Sequence, residues 1–337
     1  MTQSVELVEG GKSVQFTDRV VPWMKLGKIV DGAVTAADAA KLGGLNFTVS
    51  LHDVYFTCDK AINPENGQEV ENVLPECLRN MTNRKVVVRD DTLDPLAVVS
   101  AGYPVLQYHE AFDFMDTVAA SPTNAARYVA AGALKGGKQG FMVVRAPDDM
   151  QLDILDGKDP HEIFLALRTS HDLTRAVEVM AMPLRGLCMN QLTLASFTAN
   201  VPHRWSVRHT TTMKAKLAEA EKSLANLGAY TARFNELAKR LVAVKVTDEK
   251  ARYVLGHVIT NRPKKDDVID LIIQKMHKSP TVGWDGTGWG LVNAVSEYFE
   301  WGRSGGSPES RFLNALQGPT HKAINKTAVY LLRGATQ

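Results

Sequence analysis

Residues 170–197 read SHDLTRAVEVMAMPLRGLCMNQLTLASF and hold a base, a carboxylate, a thiol and an amide in a short span. His171 with Asp172, and Cys188 with Asn190, are residue types that could activate and orient a nucleophile. Their spacing argues against it. Neighbours in an extended chain face opposite sides, so Asp172 is poorly placed to reach the His171 ring. Asp172 suits an Asx turn, and the sequence brings no base to Cys188. The stretch therefore reads as strand, turn, strand and helix, a scaffold in which His171 and Asp172 form a capped turn.

Other clusters carry two readings each. Asp90, Asp91 and Asp94, with His109 and Glu110, are hard oxygen and nitrogen ligands that could gather a divalent cation; closely spaced Asp residues also make a turn. The segment LKGGKQG around Lys135 and Lys138 could cradle a phosphate with backbone N–H groups and cations; it also fits a hairpin turn with solvated lysines. The chain has no phosphate-binding Gly-Lys-Ser/Thr loop, no Gly-x-Ser-x-Gly and no His-Glu-x-x-His. No cofactor and no resident metal are expected.

Basic and aromatic residues interleave in RWSVRHTT. Alternation puts Arg204, Ser206 and Arg208 on one side of a strand and Trp205 and Val207 on the other. Lys214 and Lys216 follow on a predicted helix. Cations of this kind neutralise phosphates and aromatic rings stack on unpaired bases. Equally, Trp205 could belong to the core and the arginines to a solvated face. Between His203 and Lys278 sixteen Lys and Arg stand against eight Asp and Glu, a local charge of +8 in a chain of net charge +2. Such asymmetry points to a polyanion or to the charged outer face of a long helix.

With 337 residues the chain suits one large domain or two ordinary ones. Its 45% hydrophobic and 23% charged residues are those of a soluble globular protein. No apolar run approaches a membrane span, and Met1–Asp18 lacks the apolar core of a secretory signal. Cys58, Cys77 and Cys188 are few, odd in number and widely spaced, which suits ordinary thiols in a reducing, cytoplasmic compartment.

The elements that must position these residues follow from local signals. Residues 1–20 read as loosely ordered. Thr35 caps a short Ala-rich helix that stops at Gly43-Gly44. Residues 46–50 alternate as a strand. Lys85 to Arg89 and Leu96 to Ser100 form a hairpin about Asp90-Asp91-Thr92, and helical spacing begins at His109. Residues 126–134 and 139–146 are strands about the Lys135–Lys138 turn, and 164–170 and 176–183 are strands about His171. Residues 190–200 look helical. A long helix from Thr212 carries Leu217, Leu224, Leu227, Tyr230 and Phe234 as its apolar stripe. Further helices cover 248–278, an amphipathic stretch after TGWG, and about 309–332. Strands first and helices last predict an α+β fold: an antiparallel, β-rich N-terminal two thirds with packed helices, and a helical C-terminal third. The expected division is a loose segment 1–20, an α+β core 21–210 and a helical region 211–337.

Several segments together resemble one family. They are VPWMKLGKIV, TAADAAKLGGLNFTV, VVVRDDTLDPLAVVSAGYPVLQYHEAFDFM, AGALKGGKQGFMVVR, RTSHDLTRAVEVMAMPLRGLCMNQLTLA, WSVRHT and GTGWGLVNAVSEY, in that order over residues 21–330. The resemblance is to the phage/plasmid-like proteins of unknown function (domain of unknown function nine-three-two), carried mainly by actinobacterial phages and plasmids. The chain departs from the family pattern in three places. Met24-Lys25 replaces the usual His-Gly after Trp23, Leu173 stands where a Gly usually follows the His-Asp pair, and Arg185-Gly186-Leu187-Cys188-Met189-Asn190-Gln191 lacks the usual Thr.

The phage and plasmid context implies DNA replication, recombination or repair in the host cytoplasm. A β-sheet, helices and a basic segment without an ATP loop are similar in composition to oligomeric single-strand annealing proteins. The expectation is a non-catalytic, homo-oligomeric protein that binds single-stranded DNA and no membrane. Arg204, Arg208, Lys214, Lys216, Lys135, Lys138 and Arg145 would meet phosphates. Trp205 would stack on a base, and Arg168, Arg175 and Arg185 would support or extend the groove. The alternatives are a metal-dependent nuclease or hydrolase using Asp90, Asp91, His109 and His171, and a protein-interaction factor acting on a host protein.

Overall fold

The computed structural model describes residues 16–17, 35–57, 61–62, 66–70, 78–119, 127–146, 155, 159, 161–185, 204–210, 212–213, 227–260, 263–279, 282–302 and 318–334. The fold is α+β. Its N-terminal two thirds hold antiparallel sheets with packed helices, and its C-terminal third is helical.

Helix α1 (Ala36–Leu42) starts where the sequence places it: the Thr35 hydroxyl accepts from the Asp38 N–H at 3.1 Å, and Gly43 ends the helix. A three-stranded antiparallel sheet follows, in the order β2 (Val49–Thr57), β5 (Leu78–Arg89), β6 (Pro95–Ser100). The expected strand at 46–50 forms three residues later and runs longer. Beyond the reach of β6, β2 and β5 continue as an exposed two-stranded arm with Tyr55, Phe56, Leu78 and Met81 in solvent. Two short strands, β3 (Ala61–Ile62) and β4 (Glu69–Val70), pair with each other.

The main sheet has six antiparallel strands. They are β1 (Phe16–Thr17), β7 (Arg127–Leu134), β8 (Gln139–Arg145), β9 (His161–Ser170), β10 (Val177–Arg185) and β11 (Arg204–Val207), in that spatial order. From β7 to β11 neighbours in sequence are neighbours in the sheet, and β1 lies beside β7. α1 and α2 (Tyr108–Ala119) lie against β7, β8 and β9. A side chain at residue 140 would meet this layer, because a Cβ on Gly140 would sit 2.8 Å from the Tyr108 ring.

The helices of the last third are α3 (Leu227–Ala243), α4 (Asp248–Val258), α5 (Lys265–Lys278), α6 (Gly288–Glu297) and α7 (Pro319–Arg333). α3 buries Tyr230, Phe234, Leu237, Ala238 and Leu241, the spacing of an amphipathic helix. The predicted helical region 248–278 consists of α4 and α5, with Pro263, which has no N–H, in the connection between them.

α6 corrects another expectation: every one of its ten residues is buried, so it is a central helix and not an amphipathic one. Most of its polar side-chain groups find partners nearby, while Asn293 Oδ1 has none among the described residues. Asn293 donates to the Trp289 carbonyl at 2.9 Å, Ser296 to Glu300 at 3.1 Å, and Glu297 pairs with Lys275 at 2.8 Å. The Trp289 indole N–H donates to buried Asp159 at 2.6 Å, tying α6 to the chain just before β9. One core cluster of buried residues runs from Ala36 to Leu332. No described helix is long and apolar enough to cross a membrane.

Candidate nucleic-acid interface

Antiparallel pairing brings three turns to one end of the main sheet. These are the β7–β8 turn (135–138), the β9–β10 turn (171–176) and the residues that follow β11, whose Val207 lies opposite Val177. The His171 N–H donates to the Lys138 carbonyl at 2.8 Å and joins the first two turns. The β7–β8 turn needs its glycines: Lys135, Gly136 and Gly137 all have positive φ, and a Cβ on Gly137 would fall 2.9 Å from the Arg89 guanidinium and the Phe47 ring.

Three predicted phosphate ligands stand at this end. Lys135 and Arg208 are exposed and Lys138 is half-buried. None has a described carboxylate within ion-pair distance. With neighbouring strands about 4.8 Å apart, β8 and β11 set Lys138 and Arg208 on the order of 14 Å from each other. Arg175 lies half-buried in the same end, where its N–H donates to Ser170 Oγ at 3.0 Å.

The remaining predicted residues are placed elsewhere. Arg168 is buried and donates to Glu178 at 2.6 Å, with both side chains 5% exposed. Arg145 stands at the far end of β8, 3.8 Å from Glu162. Arg185 ends β10 opposite His161, and Arg204 opens β11 opposite Met180; only their backbones are described. Trp205 is half-buried against the core, on the opposite face from Ser206 and Arg208. Lys214, Lys216, Cys58, Cys77, Cys188, Asn190 and the stretches 1–15 and 190–200 lie outside the described residues.

The same end of the sheet also carries a polar floor of partly and fully buried rings on the face that packs against α2. The His171 ring packs on Tyr108, centroids 4.2 Å apart, and faces Phe47 at 6.4 Å. Burial, with the nearby His209, pushes the His171 pKa down to about 3, so the ring is neutral. Burial also lowers His209, which sits 3.3 Å from the Thr169 hydroxyl and stacks on Tyr103 at 5.8 Å. Burial, then the Asp172 charge, raises Tyr103 to about 12. The Tyr103 hydroxyl and His209 Nδ1 are buried with no hydrogen-bond partner among the described residues. The floor can donate or accept hydrogen bonds but carries no positive charge of its own. No sequence pattern marks Tyr103; the alternation of 205 and 207 carried on to 209 is the signal that aims His209 at this floor.

Asp172 makes the predicted capped turn. Its carboxylate accepts from the Thr174 N–H at 3.0 Å and from Gln139 at 3.3 Å, and it also binds the Thr174 hydroxyl. No hydrogen bond joins it to the His171 ring. The acidic cluster is likewise dispersed. Asp90 accepts from Ser50 at 2.6 Å, Asp91 takes both arms of Arg89 at 2.9 and 2.7 Å, and His109 lies exposed on α2. Among the described residues no group of three His, Cys, Asp or Glu side chains is placed to hold a metal ion.

A family model matches residues 95–333, well over half of the chain. The chain belongs to the family described as Domain of unknown function (DUF932). The DUF932 span opens at Pro95, the first residue of β6, so the β2–β5 arm precedes it. The cationic end of the main sheet, its polar floor and all the C-terminal helices fall inside the DUF932 span. No curated protein and no solved structure matches the chain.

Proposed function

We propose that the cationic end of the main sheet binds single-stranded DNA, and that the protein is a non-catalytic factor of phage or plasmid DNA metabolism that anneals strands in the host cytoplasm. The observation that carries this is the gathering of Lys135, Lys138 and Arg208 at one end of one sheet, each without a described carboxylate partner. Cations gathered without a close described carboxylate are the footprint expected of a phosphate-binding surface. Annealing needs no nucleotide and no nucleophile, since base pairing supplies the driving force. The neutral floor of Tyr103, His171 and His209 offers hydrogen bonds without adding charge. Self-association is part of the proposal, and the exposed apolar side chains of the β2–β5 arm support it. The phage and plasmid setting rests on the family resemblance.

The test is a triple charge reversal, Lys135→Glu, Lys138→Glu and Arg208→Glu, assayed for binding of a labelled oligothymidylate by fluorescence anisotropy. The triple variant is expected to melt like the wild type and to lose binding by at least about a hundredfold. Unchanged binding would place the strand elsewhere.

A further inference from the structure

Helix α7 carries Lys322, Lys326 and Arg333 and has no acidic residue. Its buried side, including Ala323, Ile324, Ala328 and Leu331, holds it on the helical core. Its outer side shows Lys322, Lys326 and Tyr330 at i, i+4 and i+8, one stripe along the helix. Neither lysine has a carboxylate partner among the described residues.

α4 adds two rings to this stripe. Tyr253 is 65% exposed and packs on His257 at 4.6 Å; His257 packs on Tyr330, itself 37% exposed, at 5.1 Å. His257 Nδ1 lies 2.8 Å from the Tyr253 carbonyl, which fixes the middle ring. Large aromatic side chains are usually withdrawn from water, and here three are held in series at the surface. Two grooves of about 190 and 250 Å³ flank the stripe. Both include Lys322 and Lys326, and their described linings contain no carboxylate.

We infer that this α4–α7 face is a second contact for single-stranded nucleic acid, with bases stacked on Tyr253, His257 and Tyr330 and phosphates on Lys322 and Lys326. It rests on the proposal that the protein binds a single strand. Cations without carboxylates select a polyanion. Exposed rings select one whose bases are unpaired, since a duplex offers its bases only at the edges. An acidic peptide would satisfy the lysines and leave the rings without planar partners.

The experiment compares Tyr253→Ala/Tyr330→Ala, Lys322→Gln/Lys326→Gln and the sheet-end triple reversal on the full chain, using labelled oligothymidylate. The same oligomer carrying 5-iodouracil is photocrosslinked and the crosslinked peptides are mapped. The tyrosine variant is expected to bind at least about tenfold more weakly with an unchanged salt slope. The lysine variant is expected to flatten that slope by about 1.4, at about 0.7 per phosphate contact. Crosslinks are expected at Tyr253 or Tyr330. If both variants bind like the wild type and crosslinks map elsewhere, the inference falls, whatever the triple reversal does. If the triple reversal alone binds normally, the sheet-end proposal falls and this face stands. If the wild-type protein binds no oligonucleotide, both fall. Loss of a protein partner with oligonucleotide binding intact would also overturn the inference.

Discussion

Arg168 and Glu178 lie 2.6 Å apart inside the main sheet, each 5% exposed. They stand directly opposite each other on β9 and β10. An arginine that the sequence offers to DNA is thus held by a carboxylate from the next strand. Arg168→Met leaves the Glu178 charge buried without its cation and is expected to cost about 3–5 kcal/mol of stability. Adding Glu178→Leu is expected to recover most of it. Urea denaturation checks both variants. A well-folded double variant that no longer binds DNA would return Arg168 to the interface.

Leu173 adopts φ 62 in the β9–β10 turn and is 52% exposed. The left-handed region costs a residue with a Cβ about 1–2 kcal/mol, a cost that glycine does not carry. Leu173→Gly is expected to raise stability by up to about 1 kcal/mol, after the added freedom of the unfolded chain is subtracted. A lowered melting temperature would show that Leu173 makes contacts worth more than its backbone strain.

The burial of His171 sets a pH dependence. Its folded pKa of about 3 lies below the ordinary value of 6.5. Between those values the unfolded chain takes up a proton that the folded chain refuses. Stability from this group is therefore full above about pH 6.5 and is lost as the pH falls toward 3, by up to about 1.4 kcal/mol per pH unit. His209, lowered in the same direction, adds to the trend. His171→Phe is expected to flatten the decline in a pH series of urea midpoints, and an unaltered decline would contradict the placement of the ring.

Trp289 ties the helical third to the sheet through Asp159, which is fully buried. Trp289→Phe keeps a ring in the core but removes the donor at 2.6 Å. The expected cost is about 1–3 kcal/mol, on top of any loss of packing. Asp159→Asn with wild-type Trp289 is expected to cost less, since the amide oxygen still accepts. Calorimetric melting temperatures compare the two.

Local chemistry made part of this structure legible. Thr35 and Gly43 bound α1, Asp90-Asp91-Thr92 turns the β5–β6 hairpin, and the glycines of LKGGKQG turn β7 into β8, each within a few residues. The alternation in RWSVRH likewise sorted Trp205 and Val207 from Ser206 and Arg208. What escaped depends on distant partners. Arg168 and Glu178 flank one turn symmetrically on the same face, a signal visible only once the strand register is fixed. α6 reads as amphipathic because Asn293, Ser296 and Glu297 are polar, yet each finds a partner nearby. Tyr253 and Tyr330 meet through His257 only because α4 and α7 pack together.

The proposed single-strand contact rests on Lys135, Lys138 and Arg208, none of which has a carboxylate partner among the described residues. Its most direct test is anisotropy of a labelled oligothymidylate with the wild-type protein across a salt series, beside a duplex of the same length. Three phosphate contacts predict a log–log salt slope of about −2 from Lys135, Lys138 and Arg208, steeper with any further contact, and a preference for the single strand. No binding at low salt, or binding indifferent to salt, would contradict it.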